Sequence, residues 1–334
     1  MSKKTFKRIN PLKHEQFLRP IFLATCLFFT PLAAIAEDED LFKVSDALVD
    51  AHDYQGALKD LDKIAETHPD NDQVFFNRGY VYLDLKDYDN AITNFSKAIE
   101  INDFFMSRFA RAKAYYEKGL LDKAIEDYES GIDQKNKVRQ VILTDKSIDE
   151  SSKNLGDVDD LEMSAYHFLG QSYENKGNLK KAVSIYTKGI SLQPSFRHLY
   201  SVRALALSQL GKYQEALNDV NKALEIDPAS SLDYFCRALI YSQIGEYEKA
   251  IEDSFKAMPD GVHDEALNGV YYVRAVSYLH KGDFEKSAES AKKAIELGIE
   301  LDQDFLDNLK HKRIPKREHK SEPIRNKFTT LIGE

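Results

Sequence analysis

RHLYSVRALALSQLGKYQEALNDVNKALEIDPAS, residues 197–230, runs straight into SLDYFCRALIYSQIGEYEKAIEDSFKAM, residues 231–258, and the two align without a gap. Each carries an Arg-Ala pair (Arg203-Ala204, Arg237-Ala238), a central glycine (Gly211, Gly245), an aromatic residue just after it (Tyr213, Tyr247) and then an alanine (Ala216, Ala250). Followed outward along the chain, that alanine recurs as Ala57, Ala91, Ala124, Ala182, Ala216 and Ala250, at intervals of 34, 33, 58, 34 and 34 residues, with Ser287 37 further on. A fixed period of this size marks an array built from one repeated supersecondary unit. The single long interval is one period lengthened by an insertion.

Counting each unit from residues 38, 72, 105, 163, 197, 231 and 268, small residues fill position 8 (Ser45, Gly79, Ala112, Gly170, Ala204, Ala238, Ala275). Bulky ones fill position 11 (Leu48, Tyr82, Tyr115, Tyr173, Leu207, Tyr241, Tyr278). Glycine holds position 15 in five units (Gly119, Gly177, Gly211, Gly245, Gly282), and Pro69, Pro194 and Pro228 hold position 32. Within a unit the apolar residues recur at helical spacing twice, broken at the glycine, which predicts helix–turn–helix. Small residues at positions 8 and 20 let the two helices approach, bulky ones surround the crossing, and proline stops the second helix.

Charge follows the same register. Arg78, Arg111, Arg203, Arg237 and Arg274 stand at position 7, and Asp60, Asn94, Asp127, Ile185, Asp219, Asp253 and Ser290 at position 23. Where the arginine gives way to Leu169, the acid gives way to Ile185, so the pattern predicts pairs inside a unit, Arg111–Asp127, Arg203–Asp219 and Arg237–Asp253, with Arg78 meeting Asn94. The plain alternative is a solvated charged face, in which such pairs contribute roughly 0–1 kcal/mol.

This small–aromatic–Gly–aromatic–small–Pro register over residues 38–300 resembles the tetratricopeptide repeat (TPR). The resemblance implies an all-α, right-handed superhelical solenoid of about seven helix–turn–helix units, and the sequence adds a C-terminal capping helix. Units 1–3 span 37–134 and units 4–7 span 163–300, with an insertion at 135–162, a cap at 301–312 and a basic tail at 313–334. The first half of the insertion is expected to lengthen the helix before it, and Ser147 to Asp160 to be a loop, with plain linker favoured over a contact surface. Leu301 to Leu309 is expected to cover the last hairpin.

Before the array, Lys3, Lys4, Lys7, Arg8, Lys13 and Arg19 precede an apolar run from Ile21 to Ala36 that ends Ala34-Ile35-Ala36 and turns acidic at Glu37. That order predicts a secretory signal over 1–36 and an exported, periplasmic or secreted bacterial protein, with an uncleaved membrane anchor as the alternative. Removal of the signal leaves Cys236 as the one cysteine, read as a small buried residue, and export without disulfides suits a bacterial envelope. Residues 37–309 then hold 32 basic against 51 acidic residues, and 310–327 hold eight against two. An acidic array excludes nucleic acid as the main ligand. Membrane contact is expected only through the N-terminal segment or the basic tail.

No metal-ligand spacing, phosphate loop or nucleophile motif is present, so catalysis and cofactors are not expected. The resemblance instead implies a protein or peptide partner held on the concave side, lined by first helices at positions 2, 5, 9, 12 and 13. Those positions supply Phe42, Phe76, Tyr80, Leu83, Asp84, Phe109, Lys113, His167, Gln171, Phe235, Leu239 and Tyr272, an aromatic and apolar set of which about half is expected to be core. Family members that grip a C-terminal carboxylate use Lys at 5 with Asn at 9, and no unit here has that pair. The reading is therefore a non-catalytic scaffold or adaptor of the cell envelope. A membrane-tethered assembly or secretion factor and a self-assembling solenoid stand as alternatives.

Overall fold

The computed structural model describes residues 53–144, 156–259 and 268–315. Among them are fourteen helices: α1 (Tyr54–Thr67), α2 (Asp72–Asp84), α3 (Tyr88–Ile101), α4 (Phe105–Glu117), α5 (Leu121–Thr144), α6 (Gly156–Asn175), α7 (Leu179–Leu192), α8 (Arg197–Gln209), α9 (Tyr213–Ile226), α10 (Ser231–Ile244), α11 (Tyr247–Ala257), α12 (Gly269–His280), α13 (Phe284–Glu296) and α14 (Gln303–Lys310). No strand occurs among the described residues. Two compact units divide the chain after Gly177, the first containing α1–α6 and the second α7–α14. Phe42, the signal segment and most of the basic tail lie outside the described residues, as does the first helix expected from residue 38.

In each unit the helices pair as hairpins, α2 with α3 and α4 with α5 in the first, α8 with α9, α10 with α11 and α12 with α13 in the second. The periodic alanines are why they can. Ala57, Ala91, Ala124, Ala182, Ala216 and Ala250 are all fully buried, as is Ser287, whose hydroxyl donates to the Ala275 carbonyl across the hairpin at 2.8 Å. The approach is very close at Gly79, where a Cβ would lie 2.6 Å from the Phe95 ring. Each turn needs one residue in the left-handed region. Gly119, Gly177, Gly211, Gly245 and Gly282 supply it with φ between 75° and 79°, and Lys86 adopts φ 59° at the same turn without glycine's freedom. Asp87, Asn178 and Asp283 follow these turns and, like Asp53 at the start of α1, cap the next helix by accepting from a backbone N–H of its first turn.

The expected Arg–Asp pairs are present, and they do more than close a hairpin. Arg237 grips Asp253 with Nε and Nη2 at 2.6 and 2.9 Å, while its Nη1 donates to Asn221 Oδ1 of the preceding hairpin at 2.7 Å. Arg203 grips Asp219 and reaches back to Thr187, and Arg111 grips Asp127 and reaches back to Ser96. Arg78 meets Asn94 at 2.6 Å and Asp62 at 2.7 Å. One planar fork thus ties its own second helix to the previous one. Arg274 has Ser290 where an acid would stand; it is buried, stacks over Phe255 and donates to backbone carbonyls of Ser254 and Met258 instead. Partial burial gives the forks more weight than a solvated pair: Asp253 is 2% exposed, and its hydrogen bond raises the Arg237 pKa above the ordinary guanidinium value.

The insertion departs from the linker expectation. α5 runs on to Thr144 as anticipated, but α6 already begins at Gly156, so residues 156–160 are helix rather than loop. The two lengthened helices pack together, and Glu162, fully buried on α6, takes Lys135 at 2.5 Å and Arg139 at 2.9 Å from α5. A carboxylate there has no water, so both cations are needed to hold its charge. At the other end α14 caps the array. Phe305 is buried against Ala275, Leu279 and Ala291, with Leu301, Leu306 and Leu309 around it.

Two stability predictions follow from these contacts. Asp253→Ala leaves the Arg237 fork without its main acceptor and should cost about 1–3 kcal/mol, with Asp253→Asn losing less because Asn94 already serves Arg78 in that role. Lys86→Gly removes left-handed strain and should gain roughly 0.5–1 kcal/mol. Urea unfolding at neutral pH measures both, and an unchanged midpoint for Asp253→Ala would show the fork to be incidental.

Candidate functional site

First helices carry the face that the sequence nominated. Most of position 5 does not belong to it. Phe76, Phe109 and Phe235 are buried, at 5%, 4% and 0% exposure, and so are His167, Gln171 and Leu239, whereas Tyr80, Leu83, Asp84, Lys113 and Tyr272 keep part of their surface. The reason is side-chain reach. From position 5 a ring extends inward to the second helix, where Phe76 meets Phe95 at 6.0 Å and Phe109 meets Tyr128 at 6.3 Å. Gly131 leaves room for the Phe109 ring, since a Cβ there would lie 2.6 Å from it. Where position 5 is Ser201, its hydroxyl bonds at 2.5 Å to Asp233 of the next first helix, so this register is a joint between hairpins.

The accessible part of the face lies at positions 9, 12 and 13 and, in one unit, at position 6. In the first compact unit it is centred on α4 and α6. Lys113 and Glu117 of α4 form an ion pair one turn apart. The Lys113 ammonium also sits 3.7 Å from the centroid of Phe168 on α6 and 5.8 Å from that of Tyr116. Tyr116 and Phe168 meet at 5.4 Å, the Tyr116 hydroxyl donates to Gln171 Oε1 at 3.1 Å, and Asn175 Nδ2 reaches that hydroxyl at 3.4 Å. Beneath, Phe168 stacks on Tyr128 with ring planes 10° apart. The Tyr128 hydroxyl is buried and makes no hydrogen bond, and burial, with Tyr116 and Glu117 nearby, pushes its pKa well up. Tyr80 is pushed to about 12 by burial, with Asp84 adding to the effect.

In the second unit the corresponding face is held by a polar cluster. Asp233, fully buried, accepts from Ser201 and from the Arg197 guanidinium, which also bonds Ser230 at 2.8 Å. Burial and the Arg197 charge hold neighbouring His198 down to about 4, against the pull of Asp233, so it is neutral at physiological pH. Cys236 is buried and burial raises its thiol pKa, which leaves it the small core residue the sequence suggested. Tyr272 is half-buried and pushed to about 12, chiefly by burial. Among the described residues no group of three or more His, Cys, Asp or Glu side chains is placed to hold a metal ion.

Tyr116 and Phe168 were not nominated from sequence. Both recur at helical spacing, but their pairing depends on α4 and α6 lying side by side across an insertion whose length hides the register.

Repeated helical hairpins that present one face of their first helices define a repeat protein of the interaction type. Family models described as tetratricopeptide repeat match residues 73–105, 107–137, 164–196, 198–230, 220–252 and 269–297, and the chain belongs to that family. Hsp70-Hsp90 organizing protein 2 of Arabidopsis thaliana is 28% identical over 177 residues, and Hsp70-Hsp90 organizing protein of Triticum aestivum is 27% identical. Each alignment takes 48% of this chain and 30% of the relative, so the chain spans under a third of their length. Among solved structures, a tetratricopeptide repeat protein from Parabacteroides merdae superposes with TM-score 0.56 at 19% identity, covering 82% of this chain and 97% of that one. PilW, a type IV pilus biogenesis factor, gives 0.56 at 14% identity, covering 70% and 97%. At these identities the likeness establishes the fold.

Proposed function

We propose that this protein is a non-catalytic adaptor of the bacterial cell envelope that holds a segment of a partner polypeptide on its first-helix face. Membership of an interaction-repeat family supports the binding role, and so does the word organizing in the names of the plant relatives, which describes those proteins. The observation that carries the reading is the partly open strip of Tyr80, Lys113, Tyr116 and Phe168, where rings and polar tips remain within reach of a ligand although the position-5 rings are spent on the core. Export rests on the basic–apolar–small-x-small order of residues 3–36. Among the described residues no helix is long and apolar enough to cross a membrane.

A photo-crosslinking residue at Tyr116 or Leu83 should give a discrete adduct in cells, whereas the same residue at Lys222 or Glu289, exposed on second helices, should give none. Equal labelling from both sets would reject the face. N-terminal sequencing of the protein from its native host should read from Glu37; an intact Met1 would place the chain on a retained anchor instead.

A further inference from the structure

We propose that the cage formed by Tyr116, Glu117 and Phe168 takes a lysine or arginine side chain from the bound segment, and that Lys113 is its exchangeable occupant. The inference rests on the adaptor reading and adds the chemistry of the partner: a basic stretch of polypeptide.

The cage already shows what it accepts. The Lys113 ammonium lies 3.7 Å from the centroid of Phe168 and 5.8 Å from that of Tyr116, a ring tilted 57° against Phe168, and it is ion-paired to Glu117. Ring faces carry negative quadrupole and attract cations, and a carboxylate at the rim adds Coulomb attraction. The occupant is within reach of solvent. Lys113 and Glu117 side chains are 27% and 32% exposed, and Lys113 lies on a flexible stem that can swing into water. Replacing one cation by another keeps the cage neutralised, so exchange needs no uncompensated charge. At longer range, residues 37–309 carry 51 acidic against 32 basic residues, which steers basic segments inward. A carboxylate ligand there would face Glu117.

The test is a fluorescence-anisotropy titration of the full chain with a capped, labelled peptide of residues 310–327, the one strongly basic stretch in the sequence. Lys113→Ala vacates the cage and should tighten binding about 3-fold, while Glu117→Gln and Phe168→Leu should each weaken it about 3–10-fold. Phe168→Leu keeps bulk at the position, and Glu117→Gln alters a surface residue, so the second variant carries the test if the first loses stability. A Lys113→Ala variant that binds more weakly than wild type, a Glu117→Gln variant that binds as tightly, or no binding to either wild type or Lys113→Ala would overturn the cage. Crosslinks that persist from Tyr116 and Leu83 alongside a flat titration would remove the cage and leave the adaptor reading in place.

Discussion

Two helices can lie against each other only as closely as the side chains between them allow, and every hairpin here is set by residues that have almost none. The six alanines and Ser287 have no exposed surface, and Gly79 faces the Phe95 ring at a distance that excludes even a methyl group. That proximity puts position 7 of the first helix beside position 23 of the second, and the arginine fork becomes possible. Each fork then grips its own hairpin with one edge and the preceding hairpin with the other, so the tight crossing also aligns neighbours. In repeat proteins stability is a sum of such local and nearest-neighbour contacts, and here a single residue type contributes to both.

Much of this was legible because period and chemistry coincide. Turn glycines, helix starts at 72, 105, 197 and 231, and the Arg–Asp register all repeat, and a repeating feature is read several times over. About half of the nominated face is core, as expected, but which half was hidden where a position is shared by two surfaces. Position 5 lies on the first-helix face by angle, but Phe76, Phe109 and Phe235 are long enough to reach the second helix, and helical angle says nothing about reach. The second half of the insertion departed differently. Gly156-Asp157-Val158-Asp159-Asp160 has the composition of a loop, yet it opens α6, whose Glu162 is bound in a buried ion pair with α5. That pair joins residues 27 apart across an insertion found nowhere else in the array, so no period announces it.

What remains on the face is selected by the same geometry. With position 5 taken into the core, a ligand meets side chains that have an apolar body and a polar end. Tyr80 packs edge-on against Phe76 and Phe95, and Tyr116 lies against Phe168 while its hydroxyl holds Gln171. Tyrosine suits both duties, since its ring fills space beside the core and its tip stays able to hydrogen-bond. A phenylalanine at either place would seal the hairpin equally well and offer a partner nothing directional. The rings are also fixed by their packing, so little side-chain entropy is lost when a ligand arrives. The stacked hairpins therefore do more than display a surface. By drawing most of the position-5 rings inward, they leave a strip of partly buried tyrosines and Phe168 whose exposed charges are those of Lys113 and Glu117.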